Sequence, residues 1–130
     1  MHPTAIACTA ILSLLLFGLG FAVSGTRAKS NMPTGCPDDP AHILYRMIRA
    51  HGNTVEYAPM FAVLFLYLGS HQPAAWVLWF IALATVSRIA IVVGFLTCET
   101  MAKVTRVRFL GAFGTYLSGV ALSIAALVGV

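Results

Sequence analysis

The chain has 130 residues, room for one domain and too little for two. Hydrophobic residues make up 59% and charged residues 9%, against about 25% charged in a soluble domain, which excludes both an ordinary water-soluble fold and intrinsic disorder. The net charge of +4 comes from only eight Lys and Arg against four acids, too sparse for a stripe that tracks nucleic acid, and three cysteines, an odd number, exclude a disulfide scaffold.

Crossing a hydrocarbon core of about 30 Å takes roughly 20 apolar residues as a helix, and four such runs are present. The first, residues 4–23, carries no charge. It lacks a preceding Lys or Arg and exceeds the core of a signal peptide, so it predicts a retained membrane helix. The second run, 41–68, and the third, 74–98, hold ionisable residues; the fourth, 106–130, opens on Arg106 and Arg108. Residues 24–40, with three prolines and two aspartates, and the short segments 69–73 and 99–105 read as loops. Such short connections force neighbouring helices to run antiparallel. The expected fold is therefore an all-α integral membrane protein, an antiparallel four-helix transmembrane bundle forming one domain over residues 1–130.

Basic residues gather at two of the connections. Arg27, Lys29, Arg46 and Arg49 surround the first, and Lys103, Arg106 and Arg108 the third, whereas the second connection and both termini have none. The positive-inside rule then turns both termini away from the cytoplasm. Tyr67, Trp76 and Trp79 cluster at the charge-poor end, at headgroup level.

An ionisable residue at membrane depth is costly and marks a functional site or a necessary pair. In the second run His42, Arg46, Arg49, Asn53 and Glu56 are spaced 4, 3, 4 and 3, which puts them on one helical stripe about 80° wide. Tyr57 adds a hydroxyl beside Glu56, and Pro59 removes the amide that would serve the Val55 carbonyl. Arg88 in the third run needs a partner across the bundle, and Glu56 is the carboxylate at comparable depth. One acid cannot neutralise both Arg49 and Arg88. The surplus positive charge points to an anionic ligand. The same residues also fit a buried ion network that only fixes helix register, and Arg46, Arg106 and Arg108 also fit topology determinants among the lipid headgroups.

The segment Arg49-Ala-His-Gly-Asn53-Thr-Val-Glu56-Tyr57-Ala-Pro59 closely resembles the signature of the MAPEG family, the membrane-associated proteins of eicosanoid and glutathione metabolism, and most resembles its small bacterial-type members. The resemblance implies a homotrimer of four-helix subunits that binds glutathione at the subunit interfaces, toward the cytoplasmic side. It assigns Arg49, Asn53, Glu56 and Tyr57 to the tripeptide; Arg88 suits a second carboxylate and Glu56 the free amine. It also implies an arginine near the sulfur at the start of the fourth helix. Arg108, followed by Gly111 and Thr115, best matches that position, with Arg106 as its rival. Such a charge lowers a thiol pKa from its free value near 8.5, so glutathione becomes the nucleophile for an apolar electrophile dissolved in the bilayer, with no metal required. Ile91 and Phe95 depart from the family pattern, which has hydrogen-bonding side chains there.

Two other functions compete with a transferase or peroxidase: a non-catalytic lipid- or glutathione-binding scaffold of the same fold, and a small proton-coupled exporter, disfavoured because a carboxylate flanked by arginines is ill suited to cycling protons. His51 has no metal-binding neighbours at the right spacing. Cys8, Cys36 and Cys98 read as packing or incidental thiols. Gly18 with Gly20, and Gly111 with Gly114, predict close helix contacts.

Overall fold

The computed structural model describes residues 1–129. Four helices follow one another: α1 (Pro3–Lys29), α2 (Ile43–Gly69), α3 (Ala75–Thr97) and α4 (Arg106–Val128), with no strand among the described residues. The predicted limits of α2 and α3 hold to within two residues, as does the start of α4; the last predicted position, Val130, lies outside the described residues.

α1 corrects the prediction. Residues 24–29, expected in a loop, are helical. Charge and polarity do not stop a helix; a backbone closure does. Asn31 takes a left-handed φ of 49°, the Met32 amide donates to Arg27 O at 3.1 Å, and the Asn31 amide donates to Ala28 O at 3.4 Å. This is a Schellman motif, which satisfies the last carbonyls of the helix. Arg27 and Lys29 lie in the same final turn, where positive charge suits the negative end of the helix dipole.

The helix starts also have identifiable causes. The His2 Nδ1 accepts from the Thr4 amide at 3.2 Å and Pro3 fills the first helical position. His42, expected on the polar stripe of α2, instead ends that stripe as an N-cap, its Nδ1 accepting from the Leu44 amide at 3.1 Å. Thr105 caps α4 by accepting from the Arg108 amide at 3.4 Å.

α2 and α3 form the central pair, each packed against the other three helices, while α1 and α4 flank them without meeting. Close approach is concentrated at α3 and α4. A Cβ on Gly111 would lie 2.8 Å from Ile91 N, one on Gly114 would meet the Ser87 hydroxyl, and one on Gly94 would lie 3.1 Å from Arg108 N. Of the glycines expected to allow such contacts, Gly20 lies against His51 of α2, but Gly18 has nothing near it.

The interior is layered. One apolar cluster, including Leu12, Phe61, Phe65, Ile81 and Leu122, fills the end near the α2–α3 turn, and a smaller one around Leu19, Ala50, Ile91 and Phe95 fills the charged end. Between them lie Thr54, Ser87 and Arg88, all buried. The hydroxyls of Thr54, Thr85 and Thr115 donate to the carbonyl four residues back at 2.8, 3.0 and 2.7 Å, so they are satisfied without water. Outside, large apolar side chains such as Phe21, Trp79 and Leu127 are exposed. Helices α1, α3 and α4 are long and apolar enough to cross a membrane; α2 matches α1 in length but carries the polar stripe.

Candidate functional site

The stripe on α2 divides into two rows. Residues seven apart differ by only about 20° around a helix, so Arg46 and Asn53 share one line and Arg49 and Glu56 another, about 60° away. Arg46 and Asn53 are half-buried, whereas Arg49 and Glu56 are exposed.

The first row is occupied by the fold. The Arg46 Nη1 donates to Leu96 O at 3.1 Å and to Cys98 O, the carbonyls at the end of α3, so a cation from one helix caps the negative terminus of another. Asn53 serves Arg88, whose side chain is fully buried: the Arg88 Nη2 donates to Asn53 O at 2.9 Å and Oδ1 at 2.6 Å. Here the expected pairing with Glu56 is corrected. Glu56 belongs to the outward row, and the amide oxygens of Asn53 take its place. Tyr57 covers the other side of the charge, its ring centroid 5.0 Å from the Arg88 Cζ, within cation–π range. The Arg88 Nε and Nη1 are buried without a hydrogen-bond partner among the described residues, an expensive arrangement for a charged group.

The two arginines of α4 differ in employment. The Arg108 Nη1 donates to Lys103 O at 2.8 Å and Met101 O at 3.3 Å, and its Cζ lies 4.9 Å from the Phe95 ring centroid. Arg108 thus folds the α3–α4 connection onto the bundle. The Met101 amide donates to Pro40 O at 3.0 Å and ties that connection to the first one. Arg106 is exposed beside it. Phe95 and Ile91 are both buried, the first beneath Arg108 and the second against Gly111.

Tyr116 is a site residue that sequence reasoning missed. Its hydroxyl lies 3.3 Å from that of Tyr57, with the rings edge to face and centroids 6.0 Å apart. The available signal was depth: α2 and α4 run parallel, and the two tyrosines lie about 21 and 15 Å from their helix starts at 1.5 Å per residue. Together they close the polar end of a groove of about 610 Å³ between α2 and α4, walled by Glu56, Met60, Leu64, Val120 and Leu127 among others. Among the described residues no three His, Cys, Asp or Glu side chains converge as a metal site, and the three cysteines are free.

This arrangement can hold an anion on the outward row of α2, over a buried cation, beside an apolar groove. No curated protein matches the sequence significantly. A model of the MAPEG family matches residues 5–128, nearly the whole length and including every residue of the site, and with three of its four helices long and apolar enough to cross a membrane the chain is an integral membrane protein that belongs to the MAPEG family.

Proposed function

We propose that the protein is a membrane-bound, glutathione-dependent transferase or peroxidase that turns the glutathione thiol into a thiolate for attack on an apolar electrophile. The observation that carries this reading is Arg88, a buried cation whose only hydrogen-bonding partner among the described residues is the neutral Asn53 and which leaves the region short of negative charge. Arg49 and Glu56, exposed on α2, suit a glycyl or γ-glutamyl carboxylate and the free amine respectively. Tyr57 contacts the tripeptide while Arg88 acts from behind it. Because these contacts face out of a single chain, a second copy is needed to cover them, which supports a homotrimer with ligands between subunits. The gathering of basic residues supports a site toward the cytoplasmic side, with both termini opposite.

Arg106 and Arg108 remain the candidates for the charge beside the sulfur. The bonds of Arg108 to Lys103 and Met101 favour Arg106 as the freer group. The thiolate displaces a leaving group from carbon, forming a thioether. With a hydroperoxide it takes the terminal oxygen and releases the alcohol, and a second glutathione then yields the disulfide and water. The groove between α2 and α4 suits the apolar partner.

Detergent-purified protein is expected to gain thermal stability with glutathione, to show thiolate absorbance on saturation, and to conjugate glutathione to an apolar aryl halide or reduce an alkyl hydroperoxide. Failure to bind overturns the reading. Binding with neither thiolate nor turnover establishes instead a non-catalytic binding protein, the alternative favoured by apolar Ile91 and Phe95.

A further inference from the structure

We propose that Arg88 is a positioning residue: it fixes the direction of the Asn53 amide, so that the Asn53 Nδ2 turns out of the bundle as a donor and takes an acceptor oxygen of the bound tripeptide. This role rests on the glutathione reading above and specifies how one residue of that site reads its ligand. A guanidinium has five N–H donors and no acceptor. The Arg88 Nη2 reaches Asn53 twice, donating to the main-chain O at 2.9 Å and to the side-chain Oδ1 at 2.6 Å. One nitrogen thus holds both the backbone and the side chain of the same residue. Chemistry decides which end of the amide faces Arg88, because an NH2 group there would set donor against donor beside a fully buried cation. The oxygen takes that place and the NH2 group turns the other way.

The outward side is open to that group. Asn53 is half-buried, beside the exposed row of Arg49 and Glu56. The buried side-chain atoms left without a partner belong to Arg46, Arg88 and Arg108; the Asn53 Nδ2 is not enclosed with them, and among the described residues the hydrogen bonds of its side chain run through Oδ1. Tyr57, its ring centroid 5.0 Å from the Arg88 Cζ, covers the guanidinium itself. The ligand therefore meets the amide in place of the cation, and the cation on the amide oxygen polarises the N–H groups into stronger donors. At 1.5 Å per residue, Asn53 stands about 6 Å from Arg49 and about 4.5 Å from Glu56 along α2. The stripe reads donor, donor, acceptor. Its ligand presents acceptor oxygens to Arg49 and Asn53 and a donor to Glu56, which a peptide with a carboxylate, a carbonyl and a free amine supplies.

The test compares Asn53→Asp with the parent, each as the whole protein in mild detergent. The exchange keeps the shape of the side chain and puts an oxygen where the NH2 group stood. Toward Arg88 it is favourable, because the bonds become charge-assisted, so the ligand-free thermal midpoint is expected to equal or exceed that of the parent. Toward the ligand it sets acceptor against acceptor, and glutathione is expected to bind at least about tenfold more weakly. A lowered midpoint overturns the direction of the amide, and undiminished glutathione binding overturns its role. Arg88→Lys, which also can only donate, is expected to bind glutathione about tenfold more tightly than Arg88→Met, which offers no donor; equal binding by the two overturns the positioning role. Isotope labelling of asparagine nitrogen needs no change at the site and holds even if the Arg88 variants fail to fold. The chain has two asparagines, Asn31 and Asn53, so Asn31→Gly leaves the Asn53 amide pair alone in the spectrum. Saturation with glutathione is expected to shift that pair, and a pair that stays in place overturns the proposal. A parent that does not bind glutathione overturns the proposed function and this role with it, whereas a parent that binds no more tightly than Asn53→Asp overturns this role alone.

Discussion

At the scale of single residues, the Arg88–Asn53 contact is the most consequential. Removing Asn53 strands a buried guanidinium, whereas removing both polar partners leaves nothing unsatisfied. Asn53→Ala is therefore expected to cost about 3 kcal/mol in a reversible detergent unfolding measurement. The same change made in an Arg88→Leu background should cost less than half of that; equal costs in the two backgrounds would show that the contact carries no coupling. The two arginines of α4 should separate by their readouts. Arg108→Ala is expected to lower the thermal midpoint, because it releases the Met101 and Lys103 carbonyls. Arg106→Ala should leave the midpoint within the scatter of replicates and reduce the thiolate signal of bound glutathione. The sequence showed which residues were unusual but not their pairings. A repeat of 4 and 3 places Arg46, Arg49, Asn53 and Glu56 on one side of α2 and does not reveal that the side has two edges, one turned to α3 and one outward. Arg46 was legible as a charge near a helix end, but the carbonyls it caps belong to residues fifty and fifty-two positions away.

At the scale of helices, small residues and closures set positions. On Gly111 a methyl group would meet the Ile91 backbone, which cannot swing aside as a side chain can. Gly111→Ala is expected to cost about 1–3 kcal/mol by overpacking, while Gly18→Ala, with open space around it, should be neutral or stabilising by up to about 1 kcal/mol. Detergent unfolding of the pair checks both. Asn31 supplies the left-handed residue that ends α1, so Asn31→Gly should preserve stability and Asn31→Val should cost about 1–2 kcal/mol. The existence of all four helices was legible, since a largely apolar run of this length, even one crossed by a polar stripe at helical spacing as in α2, has few other fates. The end of α1 was not, because polarity marks where the hydrocarbon stops and backbone hydrogen bonding marks where the helix stops, and the two differ by six residues at Lys29.

At the scale of the molecule, α2 presents Arg49 and Glu56 on the outside of a single chain that otherwise exposes apolar surface. The proposed homotrimer predicts three chains by native mass spectrometry in mild detergent, and a persistent single chain with both residues solvated would remove the reason for invoking partners. What no reading of one sequence supplies is the surface a neighbour covers, since apolar periodicity looks the same toward lipid and toward protein. The arrangement of the helices within one chain carries a different consequence. The first and second helices form one hairpin and the third and fourth another, and the contacts that join the hairpins, Arg46 to Leu96, Arg88 to Asn53, Tyr116 to Tyr57 and Met101 to Pro40, are all noncovalent. The peptide bond crossing the turn at Gln72 contributes to none of them. Two half-proteins, residues 1–72 and 73–130, co-expressed in one membrane should find each other and copurify, which would make the protein a naturally divisible assembly.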